Sequence, residues 1–260
     1  MNAWLALTKK EFRLGLPAFL IALILFAGII GGGFMLGDIH GVRDQMLVVA
    51  FGFVVPLHIF YLTFYLYRSL NYERKQLHLW LHNPMSIAGL LSSKIITGVV
   101  YMTITFTLSL FLLTQLFQNT FTLFNEQSIF NIIWMVVFTV FSFSIFIAFT
   151  FLFFWSIFLT LSQQMNDFLS FIFTLVIFFL FSWGYNFIMD LSFIENLTTW
   201  GGIQVNDLIV GLEFHATNDY FATSLRETSI LYIGHIVRDL IVVALMFIAT
   251  CWIIDKKVEV

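Results

Sequence analysis

Six long apolar runs alternate with shorter polar segments along the chain. Each run holds about 20 residues with few or no charges, the length that a helix needs to cross the roughly 30 Å hydrocarbon core of a bilayer. The pattern predicts membrane spans at 16–36, 46–67, 95–117, 129–161 and 168–189, with a sixth that ends at Ile254. Because no repeat or low-complexity linker divides the chain, we predict an all-α polytopic membrane protein with a single domain over 1–260.

The composition agrees with a membrane protein and removes other classes. The chain is 60% hydrophobic and only 10% charged over 260 residues, so a water-soluble domain would expose very large apolar patches. A net charge of -3 and the lack of a basic stripe with interleaved aromatics indicate no nucleic-acid partner. The single cysteine, Cys251, has no partner for an internal disulfide, and we interpret it as a small apolar filler in the last span.

The basic residues predict the orientation, because cytoplasmic loops retain Lys and Arg. With both termini in the cytoplasm, only three of the 12 Lys and Arg residues fall outside or at the outer edge, namely Arg43, Arg226 and Arg238. The first apolar run is long enough to span and lacks a small-residue cleavage site after it. We therefore interpret it as the first span and not as a removed signal peptide.

Two segments outside the spans have compositions that predict specific locations. In residues 1–15, Lys9, Lys10 and Arg13 fall within about 100° of one another on a helical wheel, which is typical of a helix that lies in the inner interface against membrane lipid. Pro17 then predicts a bend into the first span. The outer segment 190–229 is long, acidic and mixed, and its periodicity is too weak to decide whether it forms short helices.

The cytoplasmic segment 71–86, which reads NYERKQLHLWLHNPMS, gathers charge, histidine and apolar residues between the second and third spans. It predicts a short helix that stops before Pro84, and Ser86 is placed to cap the helix that enters the third span. Leu77, Trp80 and Leu81 share one helical face and form an apolar ridge. We expect this ridge to be buried either in the membrane interface or in a groove on a partner. The alternative is a solvated loop whose charges only fix the topology.

The order of these motifs resembles that of the type-2 permeases of ATP-binding cassette (ABC) transporters. The resemblance rests on the Glu73-Arg74 pair, on LHLWLHNPMS from Leu77 to Ser86, and on the SSK sequence that ends at Lys94. The segment LTKKEFRLGLP before the first span and the terminal IIDKKVEV are also similar to this family. The resemblance covers the whole six-span layout.

The resemblance implies that segment 71–86 is a coupling helix that docks into a groove on a separate ATPase subunit, with Trp80 as its central aromatic contact. The contacting residues would be Glu73, Arg74, Leu77, His78, Trp80, Leu81, His82 and Pro84, of which Glu73 and Arg74 would lie at the exposed rim. The partner ATPase would bind ATP and Mg, because this chain has no GxxxxGK[ST] loop and is not itself an enzyme.

The implied assembly is a bacterial ABC exporter in the cell membrane, with a second permease chain in a homodimer or a heterodimer. Its cargo would be hydrophobic or amphipathic, including peptides and peptide antibiotics, since the interiors of spans three to five carry almost no charge for ion coupling. A non-transporting membrane sensor or scaffold subunit is the alternative function.

The remaining ionisable residues give weaker signals. His78 and His82 are four residues apart but lack a third metal ligand nearby in the sequence, so we predict no metal site. His58, beside Pro56, is interpreted as a hydrogen-bonded interior residue at a kink. The polar group near the outer mouth, formed by His235, Arg238 and Asp239, has two interpretations: mutual pairing with snorkelling, or a gate or substrate contact.

Overall fold

A computed structural model describes residues 3–75, 85–116, 126–204 and 230–257, with side chains described except at 116, 126–132, 203–204 and 230–231. In chain order the elements are α1 (Ala3–His40), α2 (Arg43–Arg74), α3 (Ile87–Leu116), α4 (Glu126–Gln164), α5 (Asp167–Met189), α6 (Ser192–Thr198), β1 (Gly202–Gln204), β2 (Ile230–Tyr232) and α7 (Ile233–Lys257).

Six of these helices, α1 to α5 and α7, have the length and the apolar composition to cross a membrane. The prediction of a six-span membrane protein is thereby confirmed at the level of the helices. Several of them are much longer than a span requires: α1 has 38 residues and α4 has 39. At 1.5 Å per residue each is about 57 Å long, so both extend well beyond the roughly 30 Å core of a bilayer.

The first helix corrects one prediction. We expected a separate helix over residues 1–15, but α1 is one continuous helix with Pro17 inside it, and the predicted bend at Pro17 stays a prediction. Packing on either side of the proline explains this, because Ala18 is buried and Gly15 lies against two tyrosine rings. A Cβ on Gly15 would be 2.7 Å from Tyr65 Cε2 and 2.9 Å from Tyr101 Cε2. These tertiary contacts hold the helix together although proline removes a backbone hydrogen bond.

A two-residue turn joins α1 to α2 at the end of the bundle opposite to the start of α1. Gly41 has a φ of +67°, which glycine adopts without steric cost, and the Val42 N–H donates to the Gly37 carbonyl over 2.9 Å. A Cβ on Gly37 would be 2.6 Å from Arg43 Cα, and one on Gly33 would be 2.7 Å from Ala50 Cβ. The Gly-xxx-Gly spacing of Gly33 and Gly37 therefore allows α1 and α2 to pack with their backbones close together.

The core of the bundle lies among α1, α2, α3 and α4. Buried residues recur along α2 at helical spacing, as in Val54, His58, Leu62, Leu66 and Leu70. Helix α7 packs on α4, where the rings of Phe149 and Phe247 lie 5.6 Å apart. Helix α5 packs on α4 through phenylalanine contacts such as Phe154 to Phe178 at 5.1 Å, and most of its remaining surface is exposed, as expected for a lipid-facing helix.

The outer segment 190–229 is described only up to residue 204. It contains α6, which answers the question of short helices there, and β1, which pairs antiparallel with β2 so that Gly202 faces Tyr232. This small ladder was not predicted, and it adds a two-stranded sheet to the all-α class. Helix α6 lies directly on the start of α7, where a Cβ on Gly234 would clash with the Thr198 carbonyl oxygen.

Candidate functional site

A buried ammonium group lies where the start of α1, the end of α2 and the start of α3 meet. Lys94 is the only charged residue in the sequence of α3, and its side chain is 1% exposed. Its Nζ donates to Glu11 Oε1 at 2.8 Å, to Ser69 Oγ at 2.9 Å and to Glu73 Oε1 at 3.1 Å. Because an ammonium carries three N–H donors, these three contacts occupy all of them.

The two carboxylates come from the other two helices. Glu11 of α1 is 1% exposed, and Glu73 in the last turn of α2 is 9% exposed by its side chain. Ser69 accepts from Lys94 and donates to Glu11 Oε2 over 3.4 Å, which closes the network. Lys10 lies at the edge, with its Nζ 3.9 Å from Glu73 Oε1. We call Glu11, Ser69, Glu73 and Lys94 the charge cluster.

The charge cluster fixes the relative positions of three helices. Taking ions out of water is costly, and the loss is recovered only when geometry and hydrogen bonding are good. Removing one partner of such a group typically costs about 3–5 kcal/mol, because the remaining charge stays buried without compensation. Since its ammonium donors are all occupied, the arrangement is suited to joining helices and not to chemistry on a substrate.

The sequence around the start of α3 explains why Lys94 lies opposite Glu73. Ser86 caps α3, since the Gly89 N–H donates to Ser86 Oγ over 3.3 Å, as predicted. The helix begins at Ile87, so Lys94 follows two turns later and faces Glu73, 21 residues earlier in the chain. The start of segment 71–86 is thereby joined to α3, the helix that follows the segment, and through Glu11 also to α1.

Arg74 makes a second connection at the same end of the bundle. Its guanidinium pairs with Asp167, the first residue of α5, and lies 4.8 Å from the centre of the Phe158 ring of α4. Asn166 caps α5, because its Oδ1 accepts from the Leu169 N–H at 2.9 Å. The end of α2 is therefore tied to the α4–α5 turn as well as to α1 and α3.

The residues predicted to contact an ATPase have different outcomes. The expectation that Glu73 is an exposed rim residue is wrong: only 7% of the residue is accessible, because its carboxylate faces Lys94. Arg74 is half-buried against partners within the chain. Residues Leu77, His78, Trp80, Leu81, His82 and Pro84 lie outside the described residues, and their contacts stay a prediction.

Of the three residues in the polar group predicted near the outer mouth, two contact each other in the structure. Nε and Nη2 of Arg238 both lie 2.9 Å from Asp239 Oδ1, so the predicted mutual pairing is confirmed. His235 instead contacts the ring of Tyr232, with centroids 5.3 Å apart. The interpretation as a gate or substrate contact stays a prediction.

His58 has the interior environment that the sequence suggested. It is fully buried, and its Nδ1 lies 2.9 Å from the carbonyl oxygen of Val54, one turn earlier. Its ring stacks on Phe26 at 3.9 Å and meets Phe106 edge-on at 4.9 Å. These contacts give His58 a packing role between α1, α2 and α3.

From the sequence, Lys94 was assigned only to the cytoplasmic side and to the SSK motif, Glu73 was assigned to the ATPase contact, and Glu11 and Ser69 received no role. A sharper signal was present: Glu11 is the only acidic residue before Asp38, and Lys94 is the only charge in its helix. A single ionisable residue on an apolar helix, such as Lys94, requires a partner, and Glu11 has the opposite charge. Because they are 83 residues apart, the sequence alone does not pair them.

Within the described residues, the geometry thus provides one well-defined internal site at the charged end of the bundle and a separate, more exposed ion pair at the other end. The chain matches no family model, and no curated protein or solved structure is significantly similar to it.

Proposed function

We propose that this chain is the membrane-spanning permease subunit of a bacterial ABC exporter. In this proposal the charged end of the bundle and both termini face the cytoplasm, and the chain pairs with a second permease chain. Separate ATPase subunits bind ATP and Mg and dock on segment 71–86. The proposal is supported by the resemblance of the motifs and by the way in which both ends of that segment are held.

The observation that carries the proposal is the link between Glu73 and Lys94. A cytoplasmic segment that passes on the motion of an ATPase has to be joined firmly to the spans, since a flexible connection would absorb the displacement. Glu73 lies near the start of the segment and Lys94 lies about two turns beyond its end, and the Lys94 ammonium bonds both Glu73 and Glu11 of α1. A displacement of segment 71–86 would therefore move α1, α2 and α3 together.

The charge cluster also divides the roles of the predicted contact residues. Glu73 and Arg74 are engaged within the chain, by Lys94 and by Asp167 respectively. In the proposed complex they hold the base of the segment, and docking falls to the apolar ridge that includes Trp80. This differs from the original expectation, in which both groups lay at the rim of the ATPase contact.

The proposed cargo is hydrophobic or amphipathic, with peptides and peptide antibiotics as the favoured class. The charges of α3 and α5 lie near one end, at Lys94 and Asp167, so the rest of these helices offers an apolar surface. Such a surface suits an apolar cargo better than a hydrated ion.

The test is co-purification of the ATPase with a tagged chain that carries Trp80→Ala. Truncation of a buried aromatic contact typically costs about 2 kcal/mol or more, equivalent to roughly 30-fold in affinity. Cargo-stimulated ATP hydrolysis should fall with it. Trp183→Ala is the matched control, because Trp183 is 73% exposed on α5 and should face lipid.

Parental co-purification and turnover in the Trp80→Ala variant would reject the docking assignment. The alternative function, a non-transporting sensor or scaffold, predicts a different result. In that case the ATPase would bind the parent chain, yet vesicles containing the complex would neither move the cargo nor hydrolyse ATP faster when cargo is added.

A further inference from the structure

We propose that Arg68 and the cavities beside it bind the headgroup of an anionic phospholipid. The site lies at the charged end of α2, on the surface and outside the charge cluster. It requires only that the chain lies in a membrane, and it does not depend on the proposed transport function.

Two cavities meet at Arg68 and Tyr72. The smaller one, of about 240 Å³, lies between α1 and α2, where Leu14 and Ala18 face Tyr65, Arg68 and Tyr72. The larger one, of about 660 Å³, continues along α2 past the same arginine and tyrosine and is lined by Asn71, Arg74 and Lys75 among others. Arg68 and Tyr72 therefore form the wall that the two cavities share.

The depth of this site matches the membrane interface. Arg68 directly follows the predicted span 46–67, and the α1 wall around Ala18 lies at the start of the predicted span 16–36. Lipid phosphates lie at this level, and tyrosine is enriched there because its ring is apolar and its hydroxyl is polar. Tyr67 and Tyr72 are both about half-exposed at this level, which fits an interface.

The charges around the cavities favour an anion. Arg74 is occupied by Asp167, and the two carboxylates of the charge cluster face two ammonium groups, those of Lys94 and Lys10. In contrast, Arg68 is exposed, and among the residues that the structure describes it forms no ion pair. A planar guanidinium in this state is suited to bidentate hydrogen bonding with a phosphate.

The smaller cavity also offers an apolar surface, which separates a phospholipid from free phosphate. Leu14 and Ala18 come from α1, and the ring of Tyr65 forms the opposite side. The ring of Tyr65 reaches the backbone of α1 at Gly15, so the helices touch at the floor of the groove. An acyl chain can lie against the exposed Leu14 while the phosphate pairs with Arg68 at the surface.

The experiment measures lipid binding to the purified full-length chain by native mass spectrometry in detergent. Phosphatidylglycerol and phosphatidylcholine are titrated separately. The parent should retain one tightly bound phosphatidylglycerol in preference to phosphatidylcholine. Arg68→Gln should weaken that binding about fivefold, equivalent to the roughly 1 kcal/mol that one basic residue contributes near anionic lipid.

Two further variants make the result specific. Lys256→Gln removes a positive charge at the end of α7, outside both cavities, and should bind phosphatidylglycerol like the parent. Leu14→Asp places a carboxylate in the wall facing Arg68 and should weaken phosphatidylglycerol binding at least as much as Arg68→Gln. Because Leu14 is 46% exposed, this variant also tests the site if the arginine variant fails to fold.

Several results would overturn the proposal. The first is phosphatidylglycerol binding at the parental level in Arg68→Gln or Leu14→Asp. The second is a loss of phosphatidylglycerol binding in Lys256→Gln as large as that in Arg68→Gln. The third is equal retention of phosphatidylglycerol and phosphatidylcholine by the parent. Displacement of phosphatidylglycerol by millimolar inorganic phosphate would assign the site to free phosphate. Unchanged lipid binding together with loss of the ATPase in Arg68→Gln would assign the surface to a protein partner.

Discussion

The charge cluster and the Arg238–Asp239 pair have almost the same hydrogen-bond lengths but different structural roles. The contacts of Lys94 with Glu11 and Glu73 measure 2.8 and 3.1 Å, and Arg238 meets Asp239 at 2.9 Å. The lysine is 1% exposed, whereas the side chains of the outer pair are 25% and 45% exposed. Distance alone therefore does not rank the two groups.

The charge cluster and the Arg238–Asp239 pair also differ in how far apart their residues lie along the chain. Lys94 joins residues that are 83 and 21 positions away on two other helices, so breaking it releases contacts between helices. Arg238 and Asp239 are neighbours on α7, and their pairing constrains only their own side chains. Burial and connectivity together indicate that the charge cluster determines the bundle geometry and that the outer pair does not.

The largest expected effect comes from removing the central lysine. Lys94→Met leaves Glu11 and Glu73 facing one another in a buried site, and such a loss typically costs about 3–5 kcal/mol. The melting temperature of the purified protein in a fixed detergent should fall markedly. Lys75→Met is the matched control, because Lys75 is exposed one residue beyond α2. Equal shifts in the two variants would contradict the ranking.

A smaller loss is expected for Glu11→Gln. Glutamine keeps the shape and one acceptor, while Lys94 retains Glu73 and Ser69, so the cost should be about 1–3 kcal/mol. Combining Glu11→Gln with Lys94→Met removes the uncompensated charge of Glu11. The double variant should be more stable than the sum of the single losses predicts, as expected for coupled residues. Strict additivity in the same melting assay would show that the two groups act independently.

The six helices were predictable because each span imposes a continuous apolar run of its own, which is a local property. The length of α1 was not predictable from the sequence, because its continuity past Pro17 depends on contacts of Gly15 with Tyr65 and Tyr101 of other helices. The strands β1 and β2 were missed for a similar reason. Each has three residues, and their pairing joins positions that lie far apart in the sequence.

The site was predictable only in part. Ser86 was assigned correctly as a cap, since capping depends on residues within one turn. Glu73 was expected at an exposed rim because its local sequence is polar, yet the partner that buries it, Lys94, lies on the next helix. Charges counted along a sequence predict orientation, but their partners depend on how the helices pack.

The smallest expected effect concerns Arg238 and Asp239. Partly exposed ion pairs contribute about 0–1 kcal/mol, so reversing either charge alone should change the melting temperature only slightly. The charge-swapped double variant, Arg238→Asp with Asp239→Arg, should recover the parental value, because it restores the pair on the same surface of α7. Function, measured as cargo-stimulated ATP hydrolysis, distinguishes a structural pair from a substrate contact. A single reversal that abolishes turnover without lowering the melting temperature would indicate a substrate contact. A loss of stability as large as that of Lys94→Met would show that solvent exposure does not distinguish the charge cluster from the Arg238–Asp239 pair.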